Sequence, residues 1–168
     1  VKVMDVISKK FDHKINISEG LTGAIAIDRK GNPYPDETHQ ICEKSDAVLF
    51  GAIGDPKYDN DPSAKVRPEQ GLLEMRKKLG LYANLRPTIV FESLINNSPL
   101  KKDRIQNTDL IFVRELTGGI YFGEPRGIKP IENGERKGVN THIYTSSEIQ
   151  RIARVAFDLA KKRRKKVT

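Results

Sequence analysis

Three arginines and a tyrosine are the residues of this sequence best suited to chemistry on an organic acid. Arg86 lies in "NLRP", Arg114 ends the apolar run "DLIFV", and Arg76 lies near the end of a helical pattern. A guanidinium pairs with a carboxylate through two parallel hydrogen bonds and stays charged at any working pH. Three arginines at the ends of elements are therefore what a dicarboxylate ligand would need. Tyr121 follows a glycine-rich turn, and at neutral pH its hydroxyl carries a proton that it could donate.

Each of these residues also has a purely structural interpretation. Arg86 could be an exposed charge before a proline turn, and Tyr121 could be a half-buried tyrosine in a hairpin. Arg114 by itself is an ordinary residue at a strand end. Glu115 flanks the same tight turn, "ELTGG", as Arg114 and Tyr121 do, so it is a candidate site residue as well, without an assigned role.

A helix is predicted over residues 68–79, with a proline at its first position and Gly80 as its stop. Four of its residues share one face at helical spacing: Glu69, Leu72, Leu73 and Arg76. This face could line a pocket for a ligand that has both a carboxylate and an alkyl group. Alternatively, the two leucines face the core and the charges lie at its rim.

Standard nucleotide and metal motifs do not occur in the sequence. The segment "GAIG" at residues 51–54 is not a G-x-G-x-x-G fingerprint, and no Walker A sequence is present. The three histidines lack the spacing of metal ligands, so we expect solvated side chains at His13, His39 and His142.

The net charge of +8 is concentrated at one end of the chain. Residues 151–168 hold eight Lys or Arg against one Asp, which is +7, so the remainder is nearly neutral. Cations complement a helix C-terminus, and the run "KKRRKK" lacks interleaved aromatic residues. We therefore expect no nucleic-acid partner. A non-catalytic module that holds RNA or an acidic partner through residues 161–166 is the alternative from another functional class.

Composition and the single cysteine favour a soluble cytoplasmic protein. No apolar run approaches the roughly 20 residues that cross a bilayer, and the first residues lack the apolar core of a signal peptide. Cys42 has no partner in the chain with which to form a disulfide. We expect no membrane partner.

The order of patterns predicts an α/β protein, because helical and strand-like segments alternate. Helices are predicted at residues 1–11, 37–44, 68–79, 97–105 and 145–165, the last with a capping box. Strands are predicted at residues 14–20, 46–54, 82–92, 109–115 and 120–124. The second and fourth strands read as buried, and the last forms a hairpin after the "TGG" turn. Residues 56–68 should form a polar loop, and residues 125–142 a loop or an extended arm.

Two long motifs carry a family resemblance. The segments "RPEQGLLEMRKKLGLYANLRP" and "VRELTGGIYFGEPRG" closely resemble the β-hydroxyacid oxidative decarboxylases, the isocitrate/isopropylmalate dehydrogenase family. The likeness is strongest to members that act on 3-isopropylmalate, and it covers essentially the whole chain. It implies an NAD-dependent oxidative decarboxylation of 3-isopropylmalate in leucine biosynthesis, with Mg²⁺ or Mn²⁺ as the metal. Malate- or tartrate-type members are the alternative.

The resemblance also implies roles for individual residues. Tyr121 matches the catalytic tyrosine that protonates the enolate left after carbon dioxide departs. The matches to substrate-binding residues are Arg76, Arg86, Arg114, Leu72 and Leu73. The matches to residues near the cofactor are Glu69, Ala52, Ile53, Gly54 and Asn84. Asp55 stands where the family usually has glycine.

The family's two-domain α/β fold is expected to be incomplete here. Residues 1–81 match part of the first, cofactor-side domain, and residues 82–168 match part of the second domain, with an intersubunit arm at about residues 116–142. The family's first strand, its active-site lysine and its aspartate metal ligands have no match in the sequence. The resemblance implies a homodimer with shared active sites, and we expect this polypeptide to be inactive alone.

Overall fold

The computed structural model describes residues 1–61 and 63–168, which divide into two units, Val1–Met75 and Arg76–Thr168. The division falls inside one helix, whereas the predicted boundary after residue 81 stays a prediction. Residue 62, in the predicted polar loop, lies outside the described residues. No helix among the described residues is long and apolar enough to cross a membrane.

The first unit is built from short helices. They are α1 (Lys2–Phe11), α2 (Ala24–Lys30), α3 (Asp36–Glu43), α4 (Pro56–Asp59) and the greater part of α5 (Pro68–Lys78). Helices α1, α3 and α5 confirm the predicted ones to within a residue or two. Helix α4 lies in the segment that was predicted to be a loop.

Tyr34 is the centre of the small core of this unit. Its side chain is fully buried, and its hydroxyl lies 3.1 Å from His39 Nδ1. Burial raises the pKa of the Tyr34 hydroxyl far above its ordinary value. The prediction that His39 is solvated is wrong, because its ring is partly buried and its Nε2 also lies 3.4 Å from Glu43.

The two strands predicted in the first unit are wrong. Residues 14–20 and 46–54 have no regular secondary structure, and Leu49 in the second segment is 80% exposed. A strand exists only where a neighbouring strand takes up its backbone N–H and C=O groups. Among the described residues of this unit no such strand is present. The Ile53 carbonyl instead accepts a hydrogen bond from the Ala24 N–H, at 2.9 Å.

The second unit contains two of the predicted strands, β1 (Ala83–Ile89) and β2 (Asp109–Glu115), which pair antiparallel. The register runs from Ala83 opposite Glu115 to Ile89 opposite Asp109. Pro87 is tolerated because every strand of a two-stranded sheet has a free edge. The prediction that β2 is a buried strand is wrong, since its side chains alternate in exposure and Phe112 is 61% exposed.

Short elements connect the strands and replace one predicted hairpin. A 3-10 helix (Glu92–Asn97) and α6 (Lys102–Ile105) join β1 to β2. The predicted strand at residues 120–124 is wrong, because a 3-10 turn covers Gly119–Tyr121 instead. Gly119 has a φ of 68°, a left-handed conformation that favours glycine, and its carbonyl accepts from the Gly123 N–H at 2.9 Å.

A hairpin and a long helix complete the second unit. Strands β3 (Gly127–Pro130) and β4 (Arg136–Val139) pair within the predicted arm. Helix α7 (Ser146–Lys161) begins at the predicted capping box, in which the Thr145 hydroxyl accepts from the Glu148 N–H. The Glu148 carboxylate accepts from the Thr145 N–H in return. Ion pairs join Arg151 of α7 to Glu115 at one end of β2, and Arg163, just after α7, to Asp109 at the other end.

Candidate active site

Arg86 and Arg114 lie on one face of the β1–β2 sheet. Arg114 is directly opposite Asn84, and Arg86 is directly opposite Phe112. Side chains of opposed residues share a face, and so do residues two apart on one strand. The two arginines are therefore diagonal neighbours, a relation that separates residues by about 7 to 8 Å. Two guanidinium groups thus project from the same small area of sheet.

Tyr121 lies beside Arg114. The guanidinium carbon of Arg114 is 5.3 Å from the centre of the Tyr121 ring. A cavity of about 800 Å³ is lined by both residues and by Arg86. His142 and Tyr144 also line this cavity, and the centres of their rings lie 4.9 Å apart in an edge-to-face arrangement. The lining of the cavity therefore combines cationic and aromatic side chains.

The predicted substrate-binding arginines have no carboxylate partner among the described residues. Within the part of the chain that the structure describes, Arg76, Arg86 and Arg114 form no ion pair. Burial lowers the pKa of the Arg76 guanidinium, and the charge of Arg114 lowers it further. Uncompensated cations that repel each other are stabilised by a bound anion.

The face of α5 that carries the predicted ligand-binding residues is not its core-facing side. The buried residues of this helix are Pro68, Gly71 and Met75. Glu69 is exposed, and the leucines and the arginine of its face are half-buried. The alternative in which the leucine pair fills the core therefore loses support.

The predicted cofactor residues of the first unit lie next to one another. A side chain at Gly54 would come within 3.7 Å of Glu69 Oε1, so the "AIG" loop and the start of α5 are adjacent. Asp55, which departs from the family pattern, is the N-cap of α4 and accepts from the Lys57 N–H at 3.1 Å. A carboxylate is a favoured N-cap, so the capping of α4 accounts for an aspartate at position 55.

Asn84 has an unusual environment on β1. Its Oδ1 is buried, and among the described residues it has no hydrogen-bond partner. Buried polar atoms are nearly always paired, so an unpaired acceptor indicates a missing donor. An amide of a bound ligand is one group that could supply this donor. For a metal ion, the described residues contain no group of three His, Cys, Asp or Glu side chains that could hold one.

Sequence reasoning missed the role of Glu115. Its carboxylate accepts hydrogen bonds from the N–H groups of Thr117 and Gly118, both at 2.8 Å, and from Arg151 at 2.5 Å. The side chain is 7% exposed. An acid placed two residues before a "TGG" turn is the local signal that could have identified it, because the backbone N–H groups of a turn need acceptors and a carboxylate nearby can supply them. Its partner on α7 is 36 residues away and has no local signal.

The basic end of the chain is partly neutralised within the protein. Arg163 donates to the Asp109 carboxylate at 2.7 Å, and Arg164 reaches the same carboxylate at 3.3 Å. Lys161 pairs with Asp158 at 2.9 Å. Half of the six cations in residues 161–166 therefore have intramolecular partners, and the end is less suited to nucleic acid than its sequence suggests.

Comparison with known proteins gives a consistent result over the whole chain. Residues 1–168 match the family described as isocitrate/isopropylmalate dehydrogenase. The chain is 52% identical to 3-isopropylmalate dehydrogenase of Bacteroides fragilis and 54% identical to that of Aquifex aeolicus, each over 168 residues. Each alignment covers 100% of the chain and 46% of the relative. The chain thus spans about half the length of these curated relatives.

Two solved structures share the fold. The crystal structure of isocitrate dehydrogenase from Methylococcus capsulatus matches with a TM-score of 0.73 at 22% identity, over 96% of this chain and 43% of that one. A beta-decarboxylating dehydrogenase from Thermococcus kodakarensis, in its apo form, matches with a TM-score of 0.59 at 27% identity, over 96% and 42%. These likenesses confirm the predicted fold class and its incompleteness.

Proposed function

Because the chain belongs to the isocitrate/isopropylmalate dehydrogenase family, we propose that it contributes the substrate-binding arginines and the proton donor of an NAD-dependent 3-isopropylmalate dehydrogenase. The reaction is oxidative decarboxylation of 3-isopropylmalate to 2-oxoisocaproate, a step of leucine biosynthesis in the cytoplasm. The observation that carries this proposal is the pair of uncompensated arginines, Arg86 and Arg114, on one sheet face beside Tyr121.

The arginines bind and orient the substrate. Each guanidinium of Arg86 and Arg114 can donate two parallel hydrogen bonds to a carboxylate, and Arg76 adds positive charge near Arg114. The negative charges of a bound dicarboxylate would compensate these positive charges and so relieve the repulsion among the arginines. Orientation by paired hydrogen bonds places the reacting carbons at a fixed distance from the tyrosine, which is the main contribution of such clamps to rate.

Tyr121 is the proton donor in this proposal. After the carboxylate leaves as carbon dioxide, the remaining enolate needs a proton at carbon to become the 2-oxo acid. The Tyr121 hydroxyl supplies it, and the positive charge of Arg114 at 5.3 Å from the ring stabilises the phenolate that results.

The leucines of α5 select the substrate. Leu72 and Leu73 offer an alkyl surface that suits the isopropyl group. Isocitrate would place a carboxylate there, and a charge desolvated against two leucines costs several kcal/mol, about the penalty of an unpaired buried ion. This preference separates isopropylmalate from isocitrate more sharply than from malate.

NAD, when bound, accepts the hydride that leaves the hydroxyl-bearing carbon. Its holding residues would be Glu69, the loop Ala52–Ile53–Gly54 and Asn84. The buried, unpaired Oδ1 of Asn84 fits a carboxamide donor, and the adjacency of Glu69 to Gly54 fits a shared binding edge. For the divalent metal, Mg²⁺ or Mn²⁺, the described residues offer no ligand cluster, so no step of this proposal depends on it. We also propose a homodimer with shared sites.

The test is a substrate comparison with the protein expressed from its complete gene. NADH formation should be fastest with 3-isopropylmalate, slower with malate and tartrate, and slowest with isocitrate. The double variant Leu72→Ala/Leu73→Ala should reduce the preference for isopropylmalate over malate. Faster turnover of malate than of isopropylmalate by the unaltered protein would assign it to the malate-type branch instead.

A further inference from the structure

We propose that Glu115, held in place by Arg151, is the positioning residue that fixes Tyr121 relative to Arg114. This inference rests on the proposed function, because it gives Tyr121 the role of proton donor. Glu115 immediately follows Arg114 in the chain, and by strand alternation its side chain lies on the opposite face of β2. It therefore acts on the far side of the sheet from the arginine pair.

The carboxylate of Glu115 determines how the chain leaves β2. One oxygen accepts from the backbone N–H groups of Thr117 and Gly118, each at 2.8 Å. The other accepts from the Thr117 hydroxyl at 3.0 Å and from Arg151 at 2.5 Å. A single side chain thus fixes two consecutive peptide units of the turn, and each of these hydrogen bonds is charge-assisted.

Arg151 holds the carboxylate from α7. Its Nη2 donates to the Glu115 carboxylate and to the Thr117 hydroxyl oxygen. Its guanidinium carbon lies 4.7 Å from the centre of the Tyr82 ring. Arg151 also lies 3.9 Å from Glu148, a member of the capping box that starts α7. The arginine is therefore anchored by the strand, the turn and the first helical turn together.

The fixed turn leads directly to Tyr121. Gly118 is followed by the 3-10 turn Gly119–Tyr121, whose first N–H donates to the Ile143 carbonyl at 2.8 Å. At the far end Arg126 donates to the Tyr121 carbonyl at 3.1 Å. Arg114, before the turn, and Tyr121, after it, come within 5.3 Å of each other. The geometry of the Glu115 turn thus sets this distance.

Burial disfavours the charged form of Glu115, but the hydrogen bonds that its carboxylate accepts stabilise that form by more. Burial raises the pKa of the Glu115 carboxyl, while hydrogen bonds from Arg151, Gly118 and Thr117 lower it, and the net pKa lies below the ordinary value. The carboxylate is consequently ionised and fully able to accept these hydrogen bonds at neutral pH.

Asp109 provides a matched control at the other end of β2. It too receives an arginine, since Arg163, which follows the end of α7 by two residues, donates to it at 2.7 Å. It lies six residues before Glu115 and has no contact with the Tyr121 turn among the contacts of the described residues. Loss of either carboxylate removes an ion pair between β2 and the segment of residues 151–164.

The experiment compares Glu115→Gln, Asp109→Asn, Tyr121→Phe and the double variant Glu115→Gln/Tyr121→Phe in the protein from the complete gene. We expect Glu115→Gln to lower kcat about 10- to 100-fold, the usual effect of a displacement near 1 Å, with little change in KM. Its solvent isotope effect on kcat should rise, because proton donation becomes slower. Asp109→Asn should leave kcat and the isotope effect unchanged.

The double variant identifies the route of action. If Glu115 acts through Tyr121, its loss costs little once the hydroxyl is gone, so the two effects on kcat do not multiply. Amide hydrogen exchange at residues 117–121, measured without substrate, should be faster in Glu115→Gln and unchanged in Asp109→Asn. Multiplying effects, or equal loss of kcat in Glu115→Gln and Asp109→Asn, would overturn the inference. Failure of the unaltered protein to turn over isopropylmalate would instead overturn the proposed function.

Discussion

Arginines bind the carboxylates at both ends of β2, and the two ion pairs have different consequences. Arg151 belongs to α7, whereas Arg163 and Arg164 follow its last residue. At one end Glu115 binds Arg151, and its side chain is 7% exposed. At the other end Asp109 binds Arg163 and Arg164, and its side chain is 42% exposed. The buried carboxylate also caps the turn to Tyr121, whereas the acceptor groups of the exposed one serve the two arginines.

The difference shows how burial changes the role of an ion pair. An exposed pair contributes little, because water competes for both charges and the side chains lose freedom. A buried carboxylate must have all its lone pairs satisfied, so it imposes a geometry on the groups around it. The exposed end of β2 therefore holds two elements together, and the buried end also sets the geometry of the candidate active site.

The largest expected effect is that of Tyr121→Phe at the buried end. Removal of the hydroxyl takes away the proton donor, and general acids contribute about 100- to 10,000-fold to rate. Steady-state kinetics should show the loss in kcat with KM nearly unchanged. Were KM alone to rise, Tyr121 would be a binding residue and the two ends of β2 would differ only in stability.

Arg114→Lys should have the next largest effect. An ammonium cannot reproduce the two parallel hydrogen bonds of a guanidinium, and one charge-assisted hydrogen bond is worth about 1.5 to 3 kcal/mol, or roughly 10- to 100-fold in kcat/KM. Arg163→Lys, at the exposed end, is the control and should leave kcat/KM unchanged. Equal kinetics of the two variants would contradict the assignment of Arg114 to the substrate.

The third largest expected effect is a difference in the free energy of unfolding between variants at the two ends of β2. Arg151→Met should lower the free energy of unfolding by about 1 to 3 kcal/mol, because it leaves the buried Glu115 carboxylate without its charged donor. Arg163→Met should lower it less, since Asp109 is exposed and keeps Arg164. Urea unfolding of both variants measures the difference, and a larger loss for Arg163→Met would reverse the comparison.

The smallest effect is the pH dependence of this contrast. The pKa of Glu115 is depressed in the folded protein, so its contribution to stability is present above its unfolded pKa of about 4.5 and is lost as the pH falls through the lower, folded value. The difference in unfolding free energy between the unaltered protein and Glu115→Gln should therefore shrink below about pH 4.5. A difference that stays constant down to pH 3 would place its origin in packing, not in charge.

Local sequence patterns predicted α1, α3, α5 and α7 well, missed α2 and α4, and predicted the strands unevenly. Helix α5 follows from a proline at its start and a glycine at its end, and α7 follows from its capping box. These signals lie within a few residues of the element that they define. The apolar run at residues 46–54 satisfied the pattern of a strand equally well, but a strand also requires a neighbour that the pattern cannot reveal.

The candidate site divides in the same way. The types and the order of Arg76, Arg86, Arg114 and Tyr121 are legible in the sequence, and their motifs identified the family. That two of the arginines share a sheet face depends on the register of β1 against β2. That register is fixed by pairing of residues 20 to 32 positions apart along the chain, which local periodicity does not specify.

The sequence by itself determined which side chains are present, where the well-capped helices begin, and which family the motifs belong to. Only the tertiary structure decided which charges are neutralised. Glu115 neutralises Arg151, and Asp109 pairs with Arg163 and Arg164. In contrast, Arg86 and Arg114 have no ion-pair partner among the described residues. The physical reason is that a charge is neutralised by whatever lies within a few ångströms in space. The carboxylates that bind Arg151 and Arg164 lie 36 and 55 residues away from them along the chain.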